Sequence, residues 1–188
     1  KNRLYILEVS SFQMEFTKHF SPDFAVYTNI SEDHLDRHNN MKEYIQLKIN
    51  LAKNLKKKGY IIYNREDNEL HKALKNNPNQ KETFSTTRKD TLFYLDDNKI
   101  IGPSKNILAN MEDLKIQGEH NLANLFAAAT CSYLIGILEN NISNTMKSFQ
   151  GVEHRLERVK FVNDVEFIND SKATNIQSVQ VAIQSFDK

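Results

Sequence analysis

The segment Asn40 to Gly59, followed without a break by Tyr60 to Asn64, restricts the fold more than any other stretch of the chain. On a helix turning about 100° per residue, Met41, Tyr44, Ile45, Leu51, Ala52 and Leu55 form one apolar stripe, and Gly59 follows as a C-cap would. A second run of strand formers, Phe24 to Ile30, precedes this helix. Strand, helix and strand in that order demand parallel strands joined by a right-handed crossover. One residue breaks the stripe. Lys48 falls inside it, whereas Lys42, Lys53, Lys56 and Lys57 lie outside it among Glu43, Gln46, Asn50 and Asn54. An ammonium on an apolar face must snorkel to water, pair with a carboxylate or lose its charge. Snorkelling needs nothing more; the other two outcomes need chemistry supplied from elsewhere in the chain.

The remaining pattern extends the same architecture. Arg3 to Val9 reads as a buried parallel strand with Glu8 at its carboxyl end, where ligands of open α/β sheets gather. Ser10, Ser11 and Gln13 follow at a helix start, where a serine serves equally well as a plain cap. Glu69 to Leu74 is a short helix. Leu92 to Leu95 and Lys99 to Ile101, around Asp96-Asp97-Asn98, read as a hairpin in a small antiparallel appendage. An apolar helix spans Leu125 to Leu138, ending near Gly136, and Thr145 to Phe149 is another short helix. Past Gly151 come a second hairpin, Glu157 to Phe161 and Val165 to Asn169 around Asn163-Asp164, and then a capped helix with Ile176, Val179, Ile183 and Phe186 on its apolar side. The expected fold class is α/β: a mostly parallel sheet flanked by helices with a small antiparallel β subdomain, plus the start of a Rossmann-like C-terminal domain. The boundary is expected between residues 1–150 and 151–188.

Three places concentrate polar chemistry. Ser31-Glu32-Asp33-His34-Leu35-Asp36-Arg37-His38 packs three carboxylates, two imidazoles and a guanidinium at a strand end, a set suited to a hard cation or a solvated loop. Asn121 and Asn124, three apart at a helix start, can meet a planar heterocycle, although Asn121 also reads as a cap. His154-Arg155 and Asp170-Ser171-Lys172-Ala173-Thr174-Asn175 combine basic residues with a helix N-terminus, which suits a polyphosphate or a carboxylate and suits surface charge equally. With 25 basic and 24 acidic residues, no global field recruits nucleic acid or an anionic membrane. Cys131 has no second cysteine to pair with and sits in an apolar context. No apolar run reaches membrane-spanning length and no signal-peptide pattern opens the chain, so a cytoplasmic location is expected. The chain opens at Lys1 on a strand pattern and stops at Lys188 inside a helical one, as a piece of a longer polypeptide would.

The strings L-E-V-S-S-F-Q-M-E, N-I-S-E-D-H-L-D-R, Y-I-Q-L-K, G-E-H-N-L-A-N and H-R-L-E-R…I-N-D-S-K-A-T-N, in this order, resemble the Mur ligase family. The L-E-x-S-S-F-Q form resembles most the branch that adds D-glutamate to UDP-N-acetylmuramoyl-L-alanine with ATP, building the peptidoglycan precursor through an acyl-phosphate. The resemblance implies that Glu8, His34 and a carbamylated Lys48 hold Mg²⁺, with Asp33 supporting His34. It assigns Asn121, Asn124, Arg155 and Asp170 to ATP, and catalysis to His34, Lys48 and Arg155. It further implies that Ser10, Gln13, Lys172 and Thr174 contact the substrates, and that the parent enzyme is a monomer. Carbamylation would answer the Lys48 puzzle, since burial favours the neutral amine that the reaction needs. A sister ligase adding another amino acid, a folate polyglutamylating enzyme and a non-catalytic nucleotide-binding module are the alternatives. One departure stands out. The family's G-x-x-G-x-x-G-K-[ST]-like loop is expected upstream of Lys1, because the five glycines, at 59, 102, 118, 136 and 151, are too scattered to form it. The resemblance also places the uridine-binding domain and most of the amino-acid-binding domain outside these residues, so that no ligase activity is expected of this segment alone.

Overall fold

The computed structural model describes residues 3–31, 40–174 and 176–186. The chain divides into two compact units, Lys1–Ser85 and Thr86–Lys188. In the first, β1 (Phe24–Tyr27), α2 (Met41–Lys53), β2 (Tyr60–Asn64) and α3 (Asn68–Leu74) alternate as the sequence predicts, after a short α1 (Ser11–Phe16), and β3 (Gln80–Phe84), which the sequence did not lead us to expect, completes the sheet. The sheet is parallel throughout, in the order β1-β2-β3, with Phe24 opposite Tyr60 and Tyr60 opposite Gln80. The middle strand explains the apolar run Tyr60 to Asn64, because a strand with two neighbours and both faces covered has no solvent side. Ile61, Ile62 and Tyr63 are all buried. One face of the sheet packs on α2 and α3 through Ala25, Tyr27, Ile61, Tyr63, Tyr44, Ala52, Leu70 and Leu74.

The predicted first strand, Arg3 to Val9, is not formed. These residues form no helix or strand, and Leu4, Tyr5, Ile6 and Leu7 are 61–89% exposed. An apolar run supplies side chains for a strand, but the ladder needs a neighbour's N–H and C=O groups. The helix read over Asn40 to Gly59 ends at Lys53, where Asn54 caps it; Gly59 N instead donates to Lys56 O at 2.8 Å, closing the turn just before β2.

Asp67 links this sheet to α3. Its Oδ1 accepts from the amides of Glu69 and Leu70 at 3.0 Å each, capping the helix, and its Oδ2 accepts from the amide of Ile30 at 2.6 Å, just past β1. Replacing Asp67 by alanine removes both the cap and the acceptor, so unfolding free energy is expected to drop by about 2 kcal/mol. Urea denaturation measures it, and an unchanged midpoint would show that neither bond matters.

The second unit holds a three-stranded antiparallel sheet, β4 (Tyr94–Asp96), β5 (Lys99–Ile101) and β6 (Ile107–Asn110), followed by α4 (Glu119–Leu134) and α5 (Glu139–Ser148). Then come the hairpin β7 (Glu157–Val162) and β8 (Val165–Asn169) and the helix α6 (Ile176–Gln184). Both predicted hairpins exist. At each turn two consecutive residues, Asp97-Asn98 and Asn163-Asp164, adopt positive φ, the conformation that Asn and Asp tolerate best after glycine. Strand β6 was not expected. Helix α4 starts at Glu119 rather than Leu125 and stops at Leu134, closed by Gly136 at φ 91° with Ile137 N donating to Ser132 O. Helix α5 is a full ten residues, of which only the last turn was read in the sequence.

Candidate active site

In the first unit the candidate residues sit on three segments. Glu8 is exposed on the irregular run before α1. Ser10 caps α1: its Oγ accepts from Gln13 N at 3.2 Å while Gln13 Oε1 accepts from Ser10 N at 2.8 Å, a reciprocal box that occupies both residues expected to touch substrate. Asp33 and His34 lie outside the described residues.

Lys48 is half-buried on α2, on the side that faces the core. Its Nζ lies 5.3 Å from the centroid of the Tyr44 ring, and Tyr44, one helical turn earlier, is 4% exposed. The lysine therefore lays its stem on the apolar face and rests its ammonium on an aromatic face. Among the described residues no ion pair or hydrogen bond engages Nζ, and no group of three or more His, Cys, Asp or Glu is arranged to hold a metal ion.

In the second unit several expected residues come together. The turn holding Arg155 and the turn holding Asp170 and Lys172 are stitched by two bonds: Asp170 Oδ1 accepts from Leu156 N at 3.2 Å, and Lys172 N donates to His154 O at 3.0 Å. His154 and Leu156 adopt positive φ to make the first turn. Glu157 Oε2 accepts from His154 N at 2.8 Å, and Asn169 Nδ2 lies 2.9 Å from His154 Nδ1. Arg155 and Lys172 are exposed, Asp170 is half-buried and Thr174 is exposed. Asn121 and Asn124 lie in the first turns of α4, both half-buried. The cap is Gly118, so Asn121 is not the cap; its Nδ2 donates instead to Gln117 O at 2.7 Å.

His120 joins these groups. Burial chiefly, and the Arg155 guanidinium next, push its imidazole below the usual range, while Asp170 pulls the other way. The start of α4, Arg155 and Asp170 therefore share one electrostatic neighbourhood. Gly118 permits that packing: at φ 88° it suits glycine, and a Cβ there would come within 2.7 Å of the His120 ring and 2.9 Å of Ser185 Oγ. A cavity of about 600 Å³ also opens beside Gly118, Leu122, Arg158 and Glu166, and none of the expected nucleotide-binding residues lines it.

Residues 1–132 match the Mur ligase middle domain. The chain belongs to the Mur ligase family. This Mur ligase segment is 41% identical over 186 residues to the UDP-N-acetylmuramoylalanine--D-glutamate ligase of Natranaerobius thermophilus, covering 97% of this chain and 40% of the relative. To the enzyme of the same name from Christiangramia forsetii it is 39% identical, covering 97% of this chain and 42% of the relative. The chain thus spans about two-fifths of the length of the curated relatives it matches. Solved Mur ligases share the fold: MurF from Acinetobacter baumannii superposes with a TM-score of 0.74 at 20% identity, over 93% of this chain and 39% of that one. MurF from Thermotoga maritima, solved in complex with ADP, gives 0.70 at 16% identity, over 94% and 42%. These likenesses agree with the sheet-and-helix architecture of the Mur ligase middle domain described above.

Sequence reasoning passed over three residues that the Mur ligase fold brings forward: Tyr27, Asp67 and His120. Asp67 was readable as a cap, since it stands just before Asn-Glu-Leu. His120 lay inside the G-E-H-N-L-A-N string. Nothing local marks Tyr27, because its partners are 21 and 25 residues away.

Proposed function

We propose that the chain is part of an ATP-dependent ligase that adds D-glutamate to UDP-N-acetylmuramoyl-L-alanine in peptidoglycan precursor synthesis. The observation that carries this is the 36–41% identity, over nearly all of this chain, to relatives named UDP-N-acetylmuramoylalanine--D-glutamate ligases. In this reading residues 1–150 belong to the central domain and residues 151–188 open the amino-acid-binding domain. The parent works as a cytoplasmic monomer; among the described residues no helix is long and apolar enough to cross a membrane.

The reaction transfers the γ-phosphoryl group of ATP to the carboxylate of the nucleotide substrate, releasing ADP. The D-glutamate amine then attacks the acyl-phosphate, and phosphate leaves as the amide forms. Asn121 and Asn124 hold the adenine, Asp170 the ribose and Arg155 the phosphates, on turns whose backbone bonds fix them against each other. Ser10 and Gln13 meet the nucleotide substrate, and Lys172 and Thr174 the D-glutamate side.

The donors expected at the metal suit Mg²⁺: the Glu8 carboxylate, the His34 imidazole and, on Lys48, carbamate oxygens, a mostly hard set. Bound there, Mg²⁺ supplies charge neutralisation to the transferred phosphoryl group. Lys48 comes to that role by carbamylation. The ammonium first gives a proton to solvent; the neutral amine then attacks carbon dioxide, an N–C bond forms, a second proton leaves to solvent, and a cation on an apolar face becomes an anion. The half-buried stem on the apolar face of α2 supports this reading.

Phosphate release by the full-length protein tests it. Release stimulated by D-glutamate and not by L-alanine, L-lysine or diaminopimelate is expected, and stimulation by another amino acid instead would overturn the assignment. The 188-residue chain itself, which carries no glycine-rich G-K-[ST] loop, is expected to show no D-glutamate-dependent ATP hydrolysis; detecting it in the same assay would show that these residues suffice.

A further inference from the structure

Tyr27 closes β1 and is 6% exposed. Its hydroxyl reaches across to α2, where Ala52 N donates to it at 3.0 Å and it donates to Lys48 O at 3.3 Å. These two backbone groups are not an arbitrary pair. An amide at 52 and a carbonyl at 48 are the two ends of one i to i−4 helical rung, so the phenol bridges the rung that carries Lys48. Ala52 is fully buried, so without the phenol that amide has only the helix carbonyl to bond. On the side-chain side, the Tyr44 ring lies beneath Nζ. The Lys48 turn is thereby held to the strand tip through its backbone and to the helix surface through its side chain.

The attachment is also long-range in the sense that matters for a site. Strand β1 leads directly into Thr28 to Ser31, the entry to the acidic and imidazole-rich motif, and Asp67 fixes Ile30 there. The hydroxyl therefore ties the helix of Lys48 to the strand from which the motif departs.

We infer that Tyr27 is a positioning residue for Lys48, its hydroxyl setting where the lysine amine stands for carbamate formation and metal support. This rests on the reading of Lys48 as the carbamate-bearing residue. Tyr27→Phe in the full-length enzyme keeps the ring and its volume and lets the rung close on itself. Tyr27→Met serves as a second hydroxyl-free side chain of similar bulk should the first not fold.

The variant is expected to lower kcat about tenfold at limiting bicarbonate while leaving KM for ATP within about twofold, since misplacing a catalytic group acts on the chemical step rather than on nucleotide binding. The bicarbonate concentration for half-maximal kcat should rise, and the ¹³C carbamate resonance of protein equilibrated with ¹³C-bicarbonate should weaken. Wild-type bicarbonate dependence and an undiminished resonance, whatever happens to the melting temperature, would overturn the proposal. The same spectrum of Lys48→Ala separates the two ideas: a carbamate resonance that persists there places the carbamate on another residue and sinks the underlying reading instead.

Discussion

Lys48→Ala in the full-length enzyme is expected to lower kcat by about 10²-fold or more, the scale seen when a preorganised charge facing the transition state is removed. Alanine shortens the side chain without disturbing the helix, so the loss should fall on catalysis rather than folding. Short carboxylic acids such as acetate or propionate should recover part of the rate, because they can place a carboxylate where the proposed carbamate would stand. The control is Lys53→Ala on the solvent side of the same helix, where activity should be unchanged. Full activity of Lys48→Ala would mean that the half-buried lysine packs on Tyr44 and does nothing more.

The largest stability effect is expected from Phe84→Ala. Phe84 ends β3, is completely buried, and its carbonyl accepts from Arg65 N at 2.9 Å, closing the turn after β2. Truncating a buried phenylalanine removes its transfer free energy and leaves a cavity, together about 3–5 kcal/mol. A domain has only about 5–15 kcal/mol in all, so the first unit should approach the edge of unfolding at ordinary temperature. Amide hydrogen exchange at Ile61 and Ile62, the centre of the parallel sheet, reads that loss within the full chain. Protection changed by less than tenfold at both would show that Phe84 contributes little to the sheet's closure. Val26→Ala, at a position 39% exposed, should change it far less.

Much of the candidate site could be read before any coordinates. The order strand, helix, strand, helix from Phe24 to Leu74 follows from periodicity alone, whereas β3 (Gln80–Phe84) does not, and both hairpin turns announce themselves as Asp and Asn pairs. The conspicuous placement of Lys48 on an apolar stripe was equally visible, because 3.6-residue periodicity assigns a face to every position on a helix. The turns of Arg155 and Asp170 were each recognisable as strings. That they are joined by Leu156 N to Asp170 and by Lys172 N to His154 was not, since the bonds pair residues 14 and 18 positions apart.

The misreadings have the same origin. Arg3 to Val9 has the composition of a buried strand, yet composition cannot supply the neighbouring strand whose amides and carbonyls a ladder requires. The apolar stretch at the start of α4 begins at Leu125, yet the helix begins six residues earlier, where Gly118 takes a positive φ beside His120 and Ser185. Local patterning thus determined the element types, the turns and the odd lysine, all of which depend on residues within about one helical turn of each other. Only tertiary packing decided that Tyr27 holds the Lys48 rung, that Asp67 holds Ile30, and that His120 shares its surroundings with Arg155 and Asp170. Such contacts depend on which distant surfaces fold together, and no local spacing encodes that.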